Sequence, residues 1–194
     1  MTEGMGHAVD PRTKLRRKDR EMDDAWIRAF LAVAPWGQLA TADVDGQPFL
    51  NANLFVFEPG RRCIYLHTAR TGRTRENVEA NPRVSFSVQT MGRLLPALEA
   101  LEFSVEYAGV VCFGRIGVVG DGREAQAALR LLLEKYAPHL EYGADYRAIT
   151  PEEMDRTAVY RLDIEAWSGK RKIAAEDFPG AYELPEPDGV WRTG

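Results

Sequence analysis

Residues Ser104 to Val119, SVEYAGVVCFGRIGVV, read as one strand about three times the usual length. Glycine interrupts it at positions 109, 114 and 117. So long a strand joins a small protein by bending sharply, and glycines in a strand interior mark such bends or bulges. The segment therefore predicts a strongly curved sheet, as at the corner of a small barrel. Other β segments follow the same logic: Gln38 to Ala42, Pro48 to Phe57 after the turn Asp43-Val44-Asp45-Gly46, Cys63 to His67 after Pro59-Gly60, Arg83 to Thr90, and Ala158 to Glu165.

Helical spacing is confined to short insertions. Asp23 caps a helix carrying Ile27, Phe30, Leu31 and Ala34, which Pro35 stops. Arg73 to Ala80 reads as a short helix, and Glu124 to Tyr136 as an amphipathic one. Thr150-Pro151-Glu152-Glu153 is a capping box with proline at the first helical position. Residues 91–103 read as a loop. Six strands without βαβ alternation predict a mainly β fold, a six-stranded antiparallel split barrel of Greek-key type with peripheral helices. Three regions follow: a basic N-terminal arm (1–22), the barrel domain (23–175), and an acidic, Pro-rich C-terminal tail (176–194).

Composition narrows the function classes. The chain has 194 residues, 45% of them hydrophobic and 28% charged, as expected of one globular domain. No apolar run approaches the ~20 residues of a membrane span, and no signal-peptide core opens the chain, so no membrane association is expected. Cys63 and Cys112 lie inside strands, where buried free thiols fit a reducing, cytoplasmic setting. The first twenty residues carry six basic and three acidic side chains on an otherwise acidic chain. The run RTKLRRKDR is short and lacks interleaved aromatics, so we expect an arm packed on its own protein and no nucleic-acid binding.

One stretch points to chemistry: Ile64 to Val88, IYLHTARTGRTRENVEANPRVSFSV. A strand ending in His67 delivers small, donor-rich residues into the start of a helix. Backbone N–H groups there lack partners and the helix dipole favours negative charge. Thr68, Thr71, Gly72, Arg73, Thr74 and Arg75 are candidate ligands for a phosphate monoester. No GxGxxG or GxxxxGK[ST] pattern is present. His67 is either a hydrogen-bonded structural residue or a contact to a ligand, including a proton donor to a substrate. His7 and His139 lack ligand-spaced partners, so no metal site is expected. Asn51 and Asn53 share one face of an apolar strand, opposite Leu50, Ala52, Leu54 and Val56, and need partners. They either bond neighbouring loops or meet a heterocycle. Trp167 either packs in a core or covers a planar ligand. No nucleophile–base pair is marked, so acyl transfer is not expected.

The order RRKDRE (16–21), GQLATADVDGQPFLNANLFVF (37–57), YLHTARTGRTRENVEANPRVSFSV (65–88), SVEYAGVVCFGRIGVV (104–119) and VYRLDIEAWSGK resembles the pyridoxamine-phosphate-oxidase-like flavoproteins. Within them it is most similar to the 5-nitroimidazole reductase (Nim) branch. The resemblance implies an FMN-binding split barrel that forms a homodimer with FMN at the interface. It implies phosphate binding by Thr68, Gly72, Arg73, Thr74 and Arg75, a flavin edge along Asn51 and Asn53, a catalytic His67, and Trp167 at the site or interface. The implied function is an oxidoreductase passing NAD(P)H-derived electrons through FMN to a nitro, quinone or similar small acceptor, a nitroimidazole-resistance activity among them. The alternative is a non-catalytic sensor or carrier of a flavin or small ligand; some related barrels hold a deazaflavin or haem instead. This chain departs from its relatives in carrying Thr74 where many have lysine, and Ala108 and Gly109 where the family has arginine and serine. Its tail lacks the arginine and histidine pattern that holds pyridoxamine phosphate, so vitamin B6 synthesis is not expected.

Overall fold

The computed structural model, which describes residues 10–185, breaks the expected second strand at one residue, Leu54. The chain opens with two short 3-10 turns and a two-residue strand, β1 (Glu21–Met22), followed by α1 (Asp24–Val33) and β2 (Gly37–Ala42). The broken strand is β3 (Pro48–Asn53) and β4 (Phe55–Glu58). Then come β5 (Cys63–Ala69), α2 (Arg73–Ala80), β6 (Arg83–Leu95) and β7 (Ser104–Val118). Helices α3 (Gly122–Tyr136) and α4 (Pro151–Arg156) precede β8 (Thr157–Lys172). Asp23 caps α1 by accepting from the Trp26 N–H at 2.8 Å, and Thr150 and Glu153 form the expected capping box on α4.

All neighbouring strands are antiparallel, in the order β3-β2-β6-β7-β8-β5-β4, with β1 added along β8. The two ends of that order, β3 and β4, are separated in the chain by Leu54 alone, so one bent strand joins both sheet edges. This is the split barrel, with the six expected strands present, the second divided and β1 added. Inside lie Leu39, Phe55, Ile64, Leu66, Phe86, Tyr160 and Leu162, all fully buried. A second apolar layer, Cys63, Tyr65 and Val159 under Ala125 and Ala128 of α3, covers the other face of β5. Both cysteines are free, and burial pushes their thiols up, to about 11 for Cys63 and about 12 for Cys112.

Two boundaries differ from expectation. Residues 91–95, read as loop, continue β6, and the pairing register shifts between Met91 and Leu94 around Gly92. Arg93 secures this hairpin by a two-pronged contact to Glu106 (2.8 and 3.0 Å) and by donating to the carbonyls of Ala175 and Glu176. The last strand runs to Lys172, so Trp167 lies within β8 opposite Cys112 and not beyond its end. Of the three glycines in β7, Gly114 stands at the register shift against β8. Gly117 has open space where a side chain would stand.

The described part of the arm packs on its own barrel. Arg12 pairs with Glu165 at 3.0 Å, and Arg20 donates to the Tyr107 hydroxyl at 3.0 Å. The remaining arm and tail, residues 1–9 with His7 and residues 186–194, lie outside the described residues. Among the described residues no helix is long and apolar enough to cross a membrane, and no cluster of His, Cys, Asp and Glu could hold a metal.

Candidate functional site

The phosphate-type loop is present as an open helix start. Gly72 precedes α2 at φ 119°, a conformation L side chains rarely adopt, and no side chain caps the helix. The first intrahelical bond runs from the Glu76 N–H to the Gly72 carbonyl. The N–H groups of Arg73, Thr74 and Arg75 therefore point out of the helix unpaired. The Arg73 guanidinium lies over β3, 5.3 Å from the centre of the Phe49 ring. Open helix starts of this kind favour negative charge.

Several expected ligands also have partners within the chain. Thr68 faces the barrel interior, donating to the Ala69 carbonyl and meeting the buried Tyr160 hydroxyl at 3.2 Å. Thr74 is buried and accepts from the Asn51 amide at 3.2 Å. Arg75 pairs with Glu79 one turn along α2. Asn53, 9% exposed, donates to the Asn51 carbonyl at 2.7 Å, and Asn77 of α2 donates to Thr41 at 2.9 Å. Asn51 thus ties β3 to α2, while Asn53 bonds back to its own strand. Buried polar groups need partners, and α2 brings Thr74 to Asn51 and Asn77 to Thr41.

The consequence for β3 is an inverted surface. With Phe49, Asn51 and Asn53 turned inward, Leu50 and Leu54 point outward, 62% and 51% exposed. Leu54 borders a pocket of about 420 Å³ floored by His67, with Leu129, Leu132, Leu133 and Tyr136 of α3 as one wall. Tyr146, Arg147 and Ile149 close the other side. His67 lies on the outer face of β5 with Cys63 and Tyr65, opposite to Thr68. Its ring reaches solvent through the open mouth, takes no hydrogen bond from the described residues, and is held below the ordinary histidine pKa by burial.

Trp167 does not join this cluster. It donates to Asp24 of α1 at 2.7 Å, meets Phe57 edge-on, and carries the Arg62 guanidinium 4.2 Å from its ring centre. It is 9% exposed, and nine residues of β8 separate it from the residue paired with Thr68, roughly 30 Å of extended chain. The core reading holds for this residue within its own subunit. Sequence reasoning missed Leu54 as a pocket wall, although its alternation with Leu50 was visible. It missed Tyr146, Arg147 and Ile149 altogether, because nothing local in residues 137–150 marks what they face.

The arrangement defines a class: a split β-barrel with an open anion loop, an uncovered aliphatic strand face and an imidazole-floored pocket. The profile of the family described as pyridoxamine 5'-phosphate oxidase matches residues 23–171, and the chain belongs to that family. Among solved structures it is similar to the flavocytochrome Anf3 from Azotobacter vinelandii, at 23% identity and TM-score 0.78 over 95% of this chain and 92% of that one. An FAD- and heme-binding protein from Mycobacterium smegmatis aligns at 21% identity and TM-score 0.70, covering 90% and 92%. A Bacteroides thetaiotaomicron protein described as a candidate 5-nitroimidazole antibiotic resistance protein aligns at 18% identity and TM-score 0.65, covering 78% and 86%. Comparison with curated protein sequences found no match. At these identities the structural likenesses establish the fold.

Proposed function

We propose that this chain is an FMN-binding oxidoreductase that passes NAD(P)H-derived electrons to a nitro, quinone or similar small acceptor. The observation that carries the proposal is the uncapped α2 start at Gly72, with Arg73 over Phe49 of β3, the strand whose other face presents Leu50, Ala52 and Leu54 to solvent. A flavin mononucleotide needs these two surfaces, a cradle for its phosphate and a flat apolar slot for its rings. Bound FMN supplies the redox chemistry, accepting hydride and passing electrons on. The chain's own part is to grip the phosphate through three N–H groups and Arg73, and to present His67 as a neutral hydrogen-bonding group in an apolar pocket. A homodimer with the flavin at the interface is supported by β2 and β6, whose outward residues Gln38, Ala40, Ser85 and Ser87 are small or polar. They continue the same face. Gly109, where relatives carry serine, removes a hydroxyl and weighs against nitroimidazole as the acceptor.

The test is titration of the purified protein with FMN and with riboflavin, which lacks the phosphate. FMN is expected to bind, with Arg73→Ala weakening it tenfold or more and leaving riboflavin unchanged, on the order expected for one charge-assisted contact. A protein that arrives without a flavin spectrum and takes up no added FMN would sink the reading. Anaerobic NADPH should then bleach the flavin; a flavin that binds and is never bleached marks the non-catalytic carrier. A second reading, an iron porphyrin on His67, is favoured by the unbonded neutral imidazole in an apolar pocket. It predicts a Soret band that His67→Ala removes.

A further inference from the structure

At the other end of β8 a second cavity, of about 440 Å³, opens between α1 and the strands β6, β7 and β8. Its floor contains the cross-strand row Thr90, Ala108 and Arg171. Its wall is the half-buried pair Trp26 and Phe30, stacked at 4.9 Å with planes 10° apart. Gly169 sets the shape: a Cβ there would stand 2.6 Å from Ile27 and 3.2 Å from the Trp26 ring, so the glycine lets α1 lie close and brings the Trp26 ring against the end of β8. Ala108, with one methyl group, leaves the centre of the row open.

The charges in this cavity are sorted. Arg171 makes no ion pair, hydrogen bond or ring contact with the described residues. The nearby cations are engaged: Lys172 with Ser104, and Arg20 and Lys170 over the Tyr107 ring. The one carboxylate in the wall, Glu106, is held by Arg93 and by the Ala174 N–H at 2.9 Å, which keep it ionised down to about pH 2. What remains for a ligand is one free guanidinium, the Thr90 hydroxyl and an aromatic surface. A neutral apolar compound would leave Arg171 unused, and a bare anion would leave the rings unused.

We propose that this cavity is a second ligand site, for a nucleoside phosphate whose base stacks against the Trp26–Phe30 pair and whose phosphate meets Arg171 and Thr90. Arg171 offers a planar fork matched to phosphate oxygens, and aromatic surfaces accept any base face. The site is separate from α2 and stands whether or not α2 holds a flavin.

Calorimetric titration of the full chain with AMP, adenosine and inorganic phosphate tests it. AMP is expected to bind at least tenfold more tightly than either fragment. Arg171→Gln, a surface change that leaves the melting temperature unmoved, should weaken AMP at least tenfold and leave adenosine unchanged. Trp26→Leu should weaken AMP and adenosine together. FMN binding should be the same in both variants as in the parent chain. AMP affinity unchanged in Arg171→Gln overturns the proposal. So does AMP binding that Arg73→Ala abolishes, which would place the nucleotide on α2, or phosphate binding as tight as AMP.

Discussion

Gly114→Ala is expected to destabilise the fold by ~3 kcal/mol or more, lowering the melting temperature by roughly 6–12 °C. At this position an added Cβ would stand 2.1 Å from the Asp163 carbonyl oxygen and 3.0 Å from its carbon. Those are backbone atoms of the paired strand at the register shift between β7 and β8, and they cannot rotate aside as a side-chain tip can. The sheet must open where it bends most. Gly117→Ala is the control: the same strand, nothing within 4 Å of the new Cβ, and an expected change within about 0.5 kcal/mol. Urea denaturation of both variants decides the matter. Equal losses at 114 and 117 would show that chain entropy, and not the close approach, governs this strand.

The second large effect is expected where α3 holds the strand break. Tyr136 donates to the Phe55 carbonyl at 2.9 Å and accepts from the Phe55 N–H at 3.0 Å. Lys135 donates to the same carbonyl at 3.0 Å and to that of Ala34 at 2.7 Å, with its ammonium 3.9 Å above the Phe55 ring. Tyr136→Phe leaves the Phe55 N–H unpaired beside the core and should cost about 2 kcal/mol. Because Leu54 precedes Phe55 and walls the His67 pocket, ligand affinity there should fall as well.

Lys135 adds a pH dependence. Burial lowers its pKa from the ordinary 10.5 to about 8, so between those values the unfolded chain holds a proton that the folded chain has released. Stability from this group is therefore lowest below pH 8 and rises as pH climbs from 8 towards 10. Lys135→Met should flatten that rise. A slope that survives the substitution would refute the assignment. Above pH 10 the opposite sign takes over, since burial and hydrogen bonding raise Tyr65 above the ordinary tyrosine range and burial also raises Tyr136. Both phenols ionise more readily in the unfolded chain.

Much of the fold was legible because its signals are local. The Asp23 cap, the capping box at Thr150 and the α2 bounds from Arg73 to Ala80 each rest on the preferences of a few consecutive residues. The hairpin at 91–95 was not legible: Gly92 reads as loop until Arg93 finds Glu106 thirteen residues away and the tail carbonyls beyond eighty. The site divides the same way. Gly72 and the helix after it are visible in sequence, whereas nothing local shows that Thr68 meets Tyr160 or that Asn51 meets Thr74. Arg171 drew no notice, because a basic residue near a strand end gains meaning only from the rings α1 sets beside it.

By itself the sequence determined where most strands and helices lie, that the long strand must bend, and that a glycine-containing loop leads into α2. Those follow from backbone sterics and short-range hydrogen bonding, which depend on neighbours in the chain. The tertiary structure alone decided that Pro48 to Phe57 divides at Leu54, that its asparagine face turns inward while its leucines face out, and that α3 and residues 146–149 line a pocket with His67. Those depend on pairings such as Phe55 with Tyr136, 81 residues apart, and no local preference encodes which partner a strand edge or a buried amide will meet.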